Sequence, residues 1–118
     1  IVFALIDHIT SPTAVLFPIK RLCALCRKHG VRVMVDGAHA PGNVVPLLVP
    51  SFGADWYCGN LHKWVFCPEG AAFLWVPQHL QPDAQSLIIS HQWKGSFQER
   101  FEMQGACTML RLPCQAPA

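Results

Sequence analysis

The sequence predicts an α/β fold, a mixed and mostly parallel sheet with covering helices. Three observations predict it. Strand-length, mostly apolar segments recur at 1–6, 31–35 and 71–76, with a shorter one at 55–58. An amphipathic helical stretch separates the first two runs, and only a Pro-Glu-Gly turn at 68–70 precedes the last. A helical crossover makes its flanking strands parallel neighbours, whereas a turn too short for a crossover makes an antiparallel pair.

Residues 1–6 form an unbroken apolar run, as expected of a strand covered on both faces, and Asp7 ends it. The polar segment from His8 to Thr13, interrupted by Pro12, is a loop at that strand's carboxyl end. A helix follows, with Pro18 in its first turn and Gly30 just past its end. Ile19, Leu22, Cys23 and Cys26 fall at i, i+3, i+4 and i+7 and make one apolar stripe, with Lys20, Arg21, Arg27 and Lys28 largely off it. Val31–Val35 is the second strand, and 36–42 the loop at its end. Asp55–Cys58 is a short third strand with Asn60–Trp64 as the loop beyond it, and Ala71–Val76 returns antiparallel. From Pro77 the composition shifts to Gln, Pro and Asp around a shorter apolar run at 87–89. The stretch from Thr108 to Ala118 shows little periodicity and contains two prolines.

At 118 residues the chain can bury a core of its own. It is 52% hydrophobic and 14% charged, well below the quarter or so of charged residues in an average soluble domain, so this is interior-rich sequence. The net charge of +2 has basic clusters only at Lys20-Arg21 and Arg27-Lys28, which argues against a nucleic-acid partner. Charged residues interrupt every apolar run before it reaches the 18 or more residues that cross a bilayer, so no membrane partner is expected. The chain opens on Ile1, directly in the apolar run and without a charged leader, and the start is expected to be a cut edge. Six cysteines with no secretion signal are expected to be reduced thiols in a cytoplasmic setting.

Ligands of parallel sheets bind outside the strands' carboxyl ends. Three loops, beginning at Asp7, Asp36 and Asn60, are expected to converge there with a carboxylate, two imidazoles and an amine. That mixture suits a cofactor with an aldehyde and a ring nitrogen, pyridoxal 5'-phosphate. A lysine amine condenses with the aldehyde to a Schiff base and can later move a proton at the substrate's alpha carbon. A carboxylate beside the pyridine nitrogen keeps it protonated, so that the ring accepts electrons.

Val-Asp-Gly-Ala-His-Ala at 35–40, Ala-Asp-Trp-Tyr at 54–57 and Gly-Asn-Leu-His-Lys-Trp at 59–64 resemble the class V aminotransferase family of fold type I. Its isopenicillin N epimerase-like and cysteine desulfurase-like members are the nearest in wording. The resemblance begins at Asp7-His8-Ile9-Thr10-Ser11-Pro12-Thr13 and extends to Arg100-Phe101-Glu102. It implies that Lys63 forms the Schiff base and Asp36 pairs with the pyridine nitrogen. His39 then approaches the ring's phenolic oxygen, Asn60 and His62 help hold the phosphate, and Ser11 falls near the ring. It further implies an amino-acid substrate, transaminase-, epimerase- or desulfurase-type chemistry, and a homodimeric full-length parent with active sites at the dimer interface. The Asp-Gly-Ala-His-Ala wording favours the epimerase-like branch.

The family's large domain begins before Ile1, and it places a Thr where this chain has Ala106 after Gly105. Residues 1–105 are therefore expected to be part of the large cofactor-binding domain. Residues 106–118 are expected to be a divergent, unstructured tail, consistent with a truncated, frame-shifted or alternatively spliced product that is inactive alone.

Competing readings are simple. Lys63 could be a surface lysine, and Asp36 with Gly37 a turn pair. His39 and His62 could be structural, and His8, His29, His79 and His91 are read as structural or solvated. Cys23-x-x-Cys26 could be a redox pair or half a zinc site, but helical spacing puts both thiols in the apolar stripe. A zinc or thiol module on Cys23, Cys26, Cys58 and His62 is the rival from another class. A non-catalytic subunit that titrates full-length relatives is the third; no metal is expected in the favoured reading.

Overall fold

The computed structural model describes residues 2–84. Four strands form one sheet in the order β1 (Phe3–Asp7), β2 (Arg32–Asp36), β3 (Trp56–Asn60) and β4 (Ala72–Trp75). The first three are parallel and β4 runs antiparallel to β3. The expected mixed, mostly parallel α/β sheet is what the chain forms. The described residues fall almost wholly within one compact unit, residues 1–80. The run at 87–89, the end of the family resemblance at Arg100-Phe101-Glu102 and the 106–118 tail lie outside the described residues.

Helix α1 (Ile19–Lys28) joins β1 to β2. Pro18 sits at the N-cap, one position ahead of the first turn where the sequence placed it. At the other end Gly30, with φ +67°, follows the C-cap His29. The Gly30 N–H bonds the Arg27 carbonyl and the Val31 N–H the Cys26 carbonyl, at 3.0 and 2.9 Å. These two bonds satisfy the helix's last carbonyls and turn the chain into β2. Ile19 and Cys23 of the predicted stripe are buried, and Leu22 and Cys26 partly so. Ile19, Cys23 and Cys26 pack with Val33, Val35, Val49 and Tyr57 into the core beneath the sheet.

Asp55 locks β2 to the next strand. Its Oδ2 accepts the Val33 N–H at 2.7 Å, and its own N–H bonds the Val33 carbonyl at 2.9 Å. The link from β2 to β3 contains a 3-10 turn, Val49–Phe52, and a second 3-10 segment covers Gln78–Asp83; the sequence pattern announced neither.

Two expectations change. Strand β3 runs on past Cys58, where the sequence reading ended it, through Gly59 to Asn60, read as the start of the loop, because Asn60 pairs with Ala72 and Gly59 with Phe73. Strand β1 is covered on one face only among the described residues. Its alternate residues Phe3 and Leu5 are 47% and 63% exposed. Among the described residues no helix is long and apolar enough to cross a membrane.

Candidate functional site

Register decides which side chains meet at the sheet's carboxyl edge. Asp7 lies opposite Asp36, and Asp36 opposite Cys58. Neighbours in register share a face, so both carboxylates emerge on the side away from α1. A cavity of about 110 Å³ opens there, lined by Asp7, Ile9, Ser11, Asp36, Ala38, His39 and Lys63. Four of the six sequence-predicted site residues, Lys63, Asp36, His39 and Ser11, line this cavity. Asn60 and His62 are not in that lining.

Hydrogen bonds hold Asp36, His39 and His62. Asp36 Oδ1 accepts the Ala38 N–H at 2.9 Å, which curls the loop back over the strand end. The Cys58 thiol donates to the same oxygen at 3.8 Å and to the Val35 carbonyl at 3.7 Å. Burial first, and the Asp36 charge second, push the Cys58 thiol above its ordinary value, so it stays a neutral donor.

His39 is held by both its backbone and its ring. Its carbonyl accepts from Asn43 Nδ2 at 2.7 Å, its Nδ1 accepts from the Trp64 indole at 3.2 Å, and its Nε2 lies 3.2 Å from Lys63 Nζ.

The loop that carries Lys63 is pinned to the start of β4. The Ala71 carbonyl accepts the Leu61 N–H at 2.9 Å, the His62 N–H at 3.3 Å and the His62 Nδ1–H at 3.0 Å. That bond occupies His62 Nδ1 and leaves Nε2 for another partner. Gly42, at φ +87°, lets the two loops close up. A side chain there would have its Cβ 2.9 Å from both the Trp64 Cβ and carbonyl oxygen.

Behind the cavity His8 and Tyr57 form a buried pair. His8 Nδ1 and the Tyr57 hydroxyl share a 2.8 Å hydrogen bond, and the Phe52 ring meets His8 edge-on at 5.1 Å. Burial lowers the His8 value and raises that of Tyr57 well beyond the usual phenol range, so both are neutral. Gly37 passes so close over this pair that any Cβ on it would overlap the Tyr57 ring.

Sequence reasoning missed Asp7 as a lining residue and Trp64 as the partner of His39. The parallel pairing of the strand ends could have found Asp7; no local signal marks Trp64. Among the described residues no group of three His, Cys, Asp or Glu side chains could hold a metal. Cys23 instead lies in the helix stripe against the core.

Residues 2–110 match the aminotransferase class-V family, and the chain belongs to it. The chain is 47% identical over 94 residues to a putative L-cysteine desulfhydrase 1 of Oryza sativa subsp. japonica, a match covering 76% of this chain and 19% of that one. It is 45% identical over 92 residues to an L-cysteine desulfhydrase of Arabidopsis thaliana, covering 76% and 20%. It is 40% identical over 76 residues to isopenicillin N epimerase of Streptomyces clavuligerus, covering 64% and 18%. The chain thus spans about a fifth of the length of these relatives. Among solved structures, the apo cysteine desulfurase of Thermococcus onnurineus NA1 superposes with a TM-score of 0.69 over 75% of this chain and 22% of that one. Identity there is 19%, so the likeness is one of fold.

Proposed function

We propose that this chain is the lysine-bearing segment of a pyridoxal-phosphate enzyme acting on an amino acid. The observation that carries it is the cavity in which an amine, an imidazole and a carboxylate meet at the carboxyl ends of parallel strands. The donor set fits the cofactor: the amine suits its aldehyde and the carboxylate its ring nitrogen. When bound, pyridoxal phosphate supplies an aldehyde for amines and a ring that draws electrons from the substrate's alpha carbon.

Lys63 Nζ is the group that bonds the cofactor and later moves a proton at that carbon. Asp36, already fixed by the Ala38 N–H and the Cys58 thiol, holds the proton on the ring nitrogen. His39 addresses the phenolic oxygen, and Ser11 the ring. Asn60 at the end of β3 and the Nε2 of His62 serve the phosphate.

The chemistry we favour is sulfur elimination from a cysteine-like substrate, because two relatives near half identity carry that name. The isopenicillin N epimerase likeness supports epimerisation as the second reading. We assign the parent enzyme to a homodimer, for which exposed Phe66 and Val65, just beyond Lys63, supply apolar surface. The compartment we assign is the cytoplasm, where the described cysteines, all free, stay reduced. A relative carrying the word chloroplastic in its name makes the plastid the competing location.

Borohydride reduction of the chain after incubation with pyridoxal phosphate, followed by peptide mapping, tests the reading. A single pyridoxyl label on Lys63 is expected. Label scattered over Lys20, Lys28 and Lys94 would contradict it.

A further inference from the structure

The Trp64, His39 and Lys63 side chains stand in an order that fixes where protons can sit. The Trp64 indole lies 3.2 Å from His39 Nδ1, and an indole N–H can only donate. Nδ1 therefore accepts, and a neutral imidazole must then carry its one hydrogen on Nε2. That nitrogen faces Lys63 Nζ at 3.2 Å. An ammonium group has three donors and no acceptor, so it cannot complete a bond with Nε2–H. A free amine has the lone pair that can.

We propose that Trp64 is a positioning residue whose indole sets the His39 tautomer, so that His39 donates to Lys63 and holds it as the free, nucleophilic amine. The consequence for reactivity rests on Lys63 being the reacting lysine; the tautomer does not. The opposite arrangement excludes the first, and it leaves one contact unsatisfied. With Lys63 as an ammonium donating to Nε2, the imidazole hydrogen moves to Nδ1 and meets the indole donor to donor. Asp7 and Asp36 line the same cavity, and their charge favours the ammonium. The indole bond is what opposes them. The built closeness of the two loops supports the assignment: Gly42 admits the Trp64 backbone where any other residue would block it, and Asn43 ties down the His39 carbonyl. Half of the Trp64 surface is exposed, so its place beside His39 is not the result of simple burial.

Nitrogen-15 spectra of the labelled full chain, without cofactor, read the tautomer directly. His39 protonated at Nε2, with nitrogen–nitrogen coupling across the bond to the Trp64 indole, is the expected result. Protonation at Nδ1, or no such coupling, overturns the proposal. In Trp64→Phe the tautomer should become mixed, and Lys63 should condense with free pyridoxal about fivefold more slowly near neutral pH. The deficit should vanish at high pH, where the amine is free in both proteins. An unchanged tautomer and rate in the variant would also overturn it. If Trp64→Phe does not fold, the coupling in the unaltered chain decides alone. Because these spectra need no cofactor, they can fail while Lys63 labelling succeeds, or the reverse.

Discussion

The two faces of the sheet present similar side chains to different surroundings. Beneath it, Val33, Val35 and Tyr57 are sealed against α1 and the loop after β2. On the other face Phe3 and Leu5 stand open to solvent, and the carboxylates of Asp7 and Asp36 emerge at its edge. The difference teaches that one face supplies the stability of the segment while the other bears the candidate site. The buried face carries the neutral His8–Tyr57 pair, and the edge of the open face the cavity lined by Asp7, Asp36, His39 and Lys63.

Placing a carboxylate on each face tests this most severely. Val35→Asp buries an unpaired charge and should cost about 4 kcal/mol or more in urea unfolding, whereas Leu5→Asp should stay within about 0.5 kcal/mol. Equal costs would erase the distinction between the faces. Gly37→Ala forces a methyl into the Tyr57 ring and should cost about 1–3 kcal/mol, measured in the same way.

Tyr57→Phe leaves His8 Nδ1 without its partner and should cost about 1–3 kcal/mol. The pair also sets a pH window. His8 is lowered in the fold, so its contribution is whole above the ordinary histidine value of about 6.5 and is lost as pH falls below it. Tyr57 is raised, so its contribution is whole below about 10 and is lost as pH rises beyond that. Thermal melts across pH should show both flanks, and the acid flank should flatten in a folded His8→Phe variant. The smallest effect belongs to the site itself. Lys63→Ala should leave stability within about 0.5 kcal/mol while abolishing the pyridoxyl label.

Much of this was legible in the residues. Apolar runs of strand length and the i, i+3, i+4 stripe gave the sheet and α1, because backbone period and burial act locally. The Asp36 and Lys63 loops were placed at one edge because a parallel sheet gathers its carboxyl ends. The open face of β1 was not legible, since an apolar run is written alike whether or not its cover is part of the described chain. Asn60 joined β3 through its pairing with Ala72, a tertiary event that Gly59-Asn60 propensity opposes. Trp64 escaped notice because its meaning lies in a hydrogen bond to a histidine on another loop.

The central claim is that Asp36 addresses the ring nitrogen of the same cofactor that Lys63 bonds. Binding of pyridoxal phosphate and of an analogue with carbon in place of the ring nitrogen should be compared in the unaltered chain and in Asp36→Asn. A charge-assisted hydrogen bond predicts that Asp36→Asn weakens the natural cofactor about tenfold or more and leaves the analogue unaffected. Equal loss for both ligands would show that Asp36 does not meet that nitrogen.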